Sequence, residues 1–151
     1  MARIAMRNIA TLFHSKEVDP SLFEIIKDMG FGKNKPLYLK KAEKWYEKSR
    51  KLEDSQSAYQ LGLLYESNFD ESINDRIEEN KSKAEILFKE AVQFDNNNLY
   101  AKAKLGRILI NKKDVSEEGL KMLKDTVEKE LDMGQTYLGE FYEREKNWIY
   151  S

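Results

Sequence analysis

Three features of this chain predict an all-α fold. Gly and Pro are scarce, 7 and 2 in 151 residues, which leaves little material for hairpins or a Gly-rich loop. Leu, Ala, Glu and Lys, all helix formers, are abundant. Apolar residues also recur three and four apart along most of the chain, the spacing of one helix face.

In chain order, Ala5, Ile9, Leu12 and Phe13 make an inward stripe over residues 4–14, with Arg3 and Arg7 elsewhere around the turn. Asp19-Pro20 offers an N-cap and a first-turn proline for a helix through Leu22, Ile25, Ile26 and Met29, stopped by Gly30. A third helix, about 37–52, faces inward with Leu39, Ala42, Trp45, Tyr46 and Ser49. A fourth carries Leu61, Leu64 and Tyr65. Residues 67–80 are polar and acidic; Phe69, Ile73 and Ile77, four apart, make part of the segment helical. Helices are then expected at 81–94, 99–110, 116–129 and 131–148, for eight or nine in all.

Composition removes several functions. With no Cys there are no disulfides, thiolate metal sites or thiol nucleophiles, which fits a cytoplasmic protein. The single histidine, His14, leaves no His-based relay, and a capping or surface role is the expectation for it. No run of 18 apolar residues is present to span a membrane. The first residues lack the apolar core of a secretory signal; having no acid before Glu17, they have an organelle presequence as their alternative reading. Residues 1–52 carry a net +6 and the remainder −7, an asymmetry that suits two differently solvated faces. The Lys-rich stretch 33–51 is interleaved with Glu43 and Glu47, which argues against a nucleic-acid surface. The acids of 67–80 lack the spacing and central Gly of a calcium loop. No catalytic constellation, metal site or cofactor motif emerges, so no enzyme is expected.

An internal repeat is the most informative feature. Leu61-Gly62, Leu105-Gly106 and Leu138-Gly139 align. Four residues before each Leu stands a small residue, Ser57, Ala101 or Gly134; three after each Gly stands Tyr65, Leu109 or Tyr142. The preceding helices align at Ala42, Ala84 and Gly119. They are followed by Trp45-Tyr46, Leu87-Phe88 and Met122-Leu123, and then by small Ser49, Ala91 and Thr126. Small residues let a neighbouring helix approach while bulky ones a turn away fill the gap. Such pairs bury their apolar faces by stacking.

At these positions the sequence resembles the tetratricopeptide and Sel1-like repeat families, over residues 20–145. The intervals Ala42–Gly62 and Gly119–Gly139 are both 20 residues, which is Sel1-like. The interval Ala84–Gly106 is 22, and its VQFDNNN stretch is similar to the tetratricopeptide inter-repeat turn. The pattern departs from the families at Gly119, at the long interval Gly62–Ala84, and in a first repeat without Leu-Gly.

The resemblance implies a right-handed α-solenoid of stacked antiparallel helix pairs. It would form one domain over 1–151: an N-terminal helix to residue 19, about three repeats, and an apolar tail at 146–151. It also implies a non-enzymatic scaffold gripping a protein or peptide on its concave face. The matching registers place Tyr59, Leu63, Ala103, Arg107, Thr136 and Glu140 there, with Tyr100 near its helix start. Trp148, Ile149 and Tyr150 either fold back over the last helix pair or form a self-association surface, which makes a homodimer the competing reading. Toxin-neutralising or chaperone-like binders and nucleic-acid-associated regulators are the remaining alternatives.

Overall fold

The computed structural model describes residues 1–14, 35–67, 76–114 and 116–150. The helix expected after Asp19-Pro20, and most of the 67–80 segment, lie outside them. The described residues form seven helices and no strand: α1 Ala2–His14, α2 Lys35–Arg50, α3 Ser55–Glu66, α4 Ile77–Phe94, α5 Leu99–Leu109, α6 Ser116–Glu128 and α7 Asp132–Tyr150. None is long and apolar enough to cross a membrane. Where the sequence reading has one domain, the contacts divide into two compact units, Met1–Leu87 and Phe88–Ser151, with the division inside α4.

In the first unit, α1 and α3 both pack against α2. Its core is Ala10, Ala42, Tyr46, Leu61, Leu64 and Leu87, with Phe13, Leu39, Trp45 and Tyr65 against it. The α2 and α3 members are those the helical spacing predicts. The stripe expected on α1 is corrected: Ala10 is its buried residue, while Ala5 and Leu12 face outward. The reason is that α1 docks largely through polar groups. Ser49 Oγ donates to the Arg3 carbonyl at 2.7 Å, and Arg7 pairs with Asp54 at 2.9 Å. The Tyr46 hydroxyl lies 3.4 Å from Thr11 Oγ1 and 3.3 Å from His14 Nδ1. Asp54 also caps α3, accepting from the Ser57 N–H at 2.9 Å, so a single carboxylate ties α1 to the start of α3.

His14, the last residue of α1, is therefore half-buried. Its ring packs edge-on to Tyr46, and burial holds its pKa below the usual imidazole value. As pH falls through about 6.5 the unfolded chain takes up this proton before the folded one does, so unfolding becomes easier. Stability is expected to decline from pH 7.5 toward 5.5, roughly spanning the imidazole titration. The decline should be shallower in His14→Gln, as denaturant midpoints across that window will show.

In the second unit, α6 packs against both α5 and α7, and α5 meets α7 directly. The core is Ala103, Ile110, Leu123 and Tyr137, flanked by Leu120, Leu131, Met133, Leu138 and Phe141. Contact pairs give the directions. Lys102 meets Asp125, Gly106 faces Leu123 and Gly119 faces Ile110, so α5 and α6 are antiparallel. Thr126 faces Gly134 across a three-residue connection, and the chain reverses again into α7. These crossings are close: a Cβ on Gly119 would lie 2.5 Å from the Ile110 amide nitrogen and 2.7 Å from the Gly106 carbonyl oxygen.

The two interval lengths in the repeat correspond to two kinds of turn. After α2 and after α6 the chain stops with Glu53 and Glu130 at φ 58° and 59°. In each case the next amide bonds back to the carbonyl of the repeat's small residue, Asp54 to Ser49 at 3.4 Å and Leu131 to Thr126 at 3.0 Å. This is a left-handed helix stop with a six-to-one hydrogen bond, and it fits the 20-residue interval. After α4 the turn is built differently. Asp95 Oδ1 accepts from the Asn97 amide at 2.9 Å, and Asn98 caps α5 by accepting from the Ala101 amide at 3.1 Å. Those extra residues fill the 22-residue interval.

Candidate functional site

The recess that gathers the most chemistry lies in the second unit, between α5 and α7. Its volume is about 390 Å³, and its walls are Arg107 from α5 and Ile110 and Asn111 just after it, with Tyr137, Glu140, Glu143, Arg144 and Asn147 from α7. Ile110 and Tyr137, 7 and 8% exposed, form an apolar floor. Two polar links cross it: Arg107 to Glu140 at 3.2 Å, and Arg144 donating to Asn111 Oδ1 at 2.8 Å. Both join residues 33 apart, so α5 and α7 run in the same direction. The same offset separates Leu105-Gly106 from Leu138-Gly139.

Arg107 is held on more than one side. The Arg107 guanidinium lies 4.4 Å above the centre of the Tyr137 ring, and the Arg107 carbonyl accepts from Asn111 Nδ2 at 2.9 Å. Arg107 is thus oriented by stacking and pairing, yet its side chain stays 45% exposed and open to a ligand. Behind it, Lys102 is 5% exposed and donates to Asp125 at 2.6 Å, which holds the Asp125 carboxyl below its usual pKa. Lys102 fixes α5 to α6 and does not reach the surface.

A smaller recess of about 180 Å³ lies in the first unit, lined by Lys40, Glu43, Lys44, Glu47 and Tyr65. The Tyr65 hydroxyl donates to Glu43 at 2.5 Å; burial first, then this carboxylate, push its pKa well above the usual phenol value. Glu47 is held below its usual value by two hydrogen bonds from Arg50, at 2.6 and 2.8 Å. Both acids of this Lys-rich stretch are therefore committed to neighbours, and the recess offers less free chemistry than the α5–α7 groove. Among the described residues no group of three acidic or His side chains could hold a metal.

The seven concave-face candidates separate. Arg107 and Glu140 are brought together in the groove. Thr136 is exposed on α7, with its hydroxyl donated to the Asp132 carbonyl of its own helix. Tyr100 is 50% exposed at the start of α5. Ala103 has no exposure, because its short side chain sits in the core with Tyr137, and it has no surface to offer a partner. Tyr59 is 7% exposed and Leu63 half-buried on α3, in the first unit. Trp148, Ile149 and Tyr150 do not fold back: α7 runs on through Tyr150, and they stand 82, 75 and 80% exposed.

Asn111, Arg144 and Asn147 were not among the sequence candidates. A signal existed for the first two: each lies one helical turn beyond a residue that was, Asn111 after Arg107 and Arg144 after Glu140.

No family model matches the chain, and neither the curated proteins nor the solved structures provide a match.

Proposed function

We infer that this protein is a non-enzymatic interaction scaffold of tetratricopeptide or Sel1-like type, and that the α5–α7 groove takes an extended segment of a partner protein. The observation that carries the reading is the groove itself: an apolar floor under exposed, pre-oriented polar groups at the 33-residue offset of the repeat. An apolar side chain of the partner covers Ile110 and Tyr137. Arg107, Arg144, Asn111 and Asn147 meet its backbone carbonyls or carboxylates, with little ordering left to do on binding. Support for the solenoid arrangement comes from α5, α6 and α7, which alternate in direction with the small residues at their crossings.

The test is selection of displayed random peptides on the full chain, followed by titration of the selected peptides. Arg107→Ser combined with Arg144→Ser is expected to weaken binding by roughly 10- to 100-fold, as for truncating interface hot spots. The helical circular dichroism should be unchanged. Retained affinity in a folded double variant would remove the groove from the reading.

A further inference from the structure

Beside the groove, and sharing Glu143 with its wall, α7 carries a second surface that nothing described in the chain covers. It is 19 residues long, but the last of its residues packed on the hydrophobic core is Phe141. Gly139 stands at the register where Gly106 lies beneath Leu123, yet a Cβ on Gly139 would have no atom within 4 Å. Gly139, Glu143, Lys146 and Tyr150 follow one another at i, i+4, i+7 and i+11, which places them on one narrow stripe. All four are exposed, and among the described residues Glu143, Lys146 and Tyr150 have no hydrogen-bond, ion-pair or ring partner.

Along α7 this stripe reads gap, acid, base, large aromatic. Turned end for end, it reads large aromatic, base, acid, gap. We propose that α7 pairs antiparallel with α7 of a second copy of this chain about a two-fold axis between Arg144 and Glu145. In that register Tyr150 of each copy fills the gap over Gly139 of the other, and Glu143 faces Lys146 twice. The contact is self-complementary in shape and in charge, as a two-fold interface must be.

The flanks agree with it. A two-fold axis across the seam sets like flanks side by side. Tyr142 and Ile149, 49 and 75% exposed, share one flank, so each Tyr142 packs beside Ile149 of the second copy. The other flank carries Thr136 and Asn147 and stays polar. The occupant is therefore a second copy and not an unrelated apolar helix, which would leave Glu143 and Lys146 unmatched in the seam. Of the three terminal apolar residues the stripe selects Tyr150 and its neighbour Ile149. Trp148 lies on the opposite side of α7, in line with Tyr137 and Phe141.

Sedimentation of the full chain over a concentration series tests this, with circular dichroism as the control for folding. Wild type should show a monomer–dimer equilibrium. Lys146→Glu and Glu143→Lys should each weaken self-association by roughly 10-fold or more, because each places like charges opposite one another twice. Mixing the two variants should restore dimers, since every acid then faces a base. Gly139→Leu, whose Cβ would have no atom of another helix within 4 Å, should stay folded and fail to dimerise. The proposal is overturned by a wild type that stays monomeric throughout, by charge variants that associate as well as wild type, or by a mixture that does not recover.

Discussion

Gly119→Ala is expected to destabilise the protein by roughly 2–3 kcal/mol, even though alanine is the better helix former by about 1 kcal/mol. The added methyl would sit 2.5 Å from the Ile110 nitrogen and 2.7 Å from the Gly106 carbonyl. These are backbone atoms of α5 and its C-cap that cannot rotate away, so α6 must move off α5 and loosen the contact between Gly106 and Leu123. Gly139→Ala is the internal control. Its methyl meets nothing of its own chain within 4 Å, and at protein concentrations where the chain is monomeric the substitution should raise stability by about 1 kcal/mol through helix propensity. Denaturant unfolding followed by circular dichroism gives both values, with an unchanged slope showing that the unfolded state is the same. If both variants are stabilised, α5 and α6 do not cross as closely as these contacts require.

That contrast also shows how far the sequence can be read. Leu105-Gly106 and Leu138-Gly139 are the same motif, and pattern alone assigns the two glycines one role. The structure separates them, because Gly106 has α6 above it and Gly139 has open space. A motif reports what a position can accept; whether a neighbour has arrived depends on elements elsewhere in the chain. The small residues Ser49, Ser57, Ala101, Thr126 and Gly134 were legible for the same reason, since close approach leaves a mark in residue size, and all five are buried.

What escaped sequence reading was contact made through polar atoms. On α1, counting apolar residues picks Ala5, Ile9, Leu12 and Phe13; Phe13 packs on the core and Ala5 and Leu12 face outward, while the Arg3 carbonyl and the side chains of Arg7, Thr11 and His14 make contacts that no hydropathy pattern marks. In the groove, Arg107 and Glu140 were legible from their repeat positions, but Ala103 was misplaced. Its register is that of a surface residue, yet it joins Ile110, Leu123 and Tyr137 in the core. The α5–α7 links fall at the repeat's own 33-residue offset, and their pairing is what sets the two helices running in the same direction.

Tyr46→Ala should be the most damaging single change in the first unit, lowering stability by roughly 3–5 kcal/mol. The side chain has no exposure and lies among Ala10, Ala42, Leu61, Leu64 and Leu87, so its removal opens a cavity where α1, α2 and α3 meet. Tyr46→Phe separates packing from hydrogen bonding. The hydroxyl's contacts to Thr11 and His14, at 3.4 and 3.3 Å, are at the long end of the range, and losing them should cost only about 1 kcal/mol. The expected order is wild type, then Phe close behind, then Ala far below, measured at pH 7.5 where His14 is neutral. If Phe proves as damaging as Ala, the unit is held by its polar network around Tyr46, not by the ring. If Ala is as mild as Phe, α1 contributes little to the stability of the core it covers.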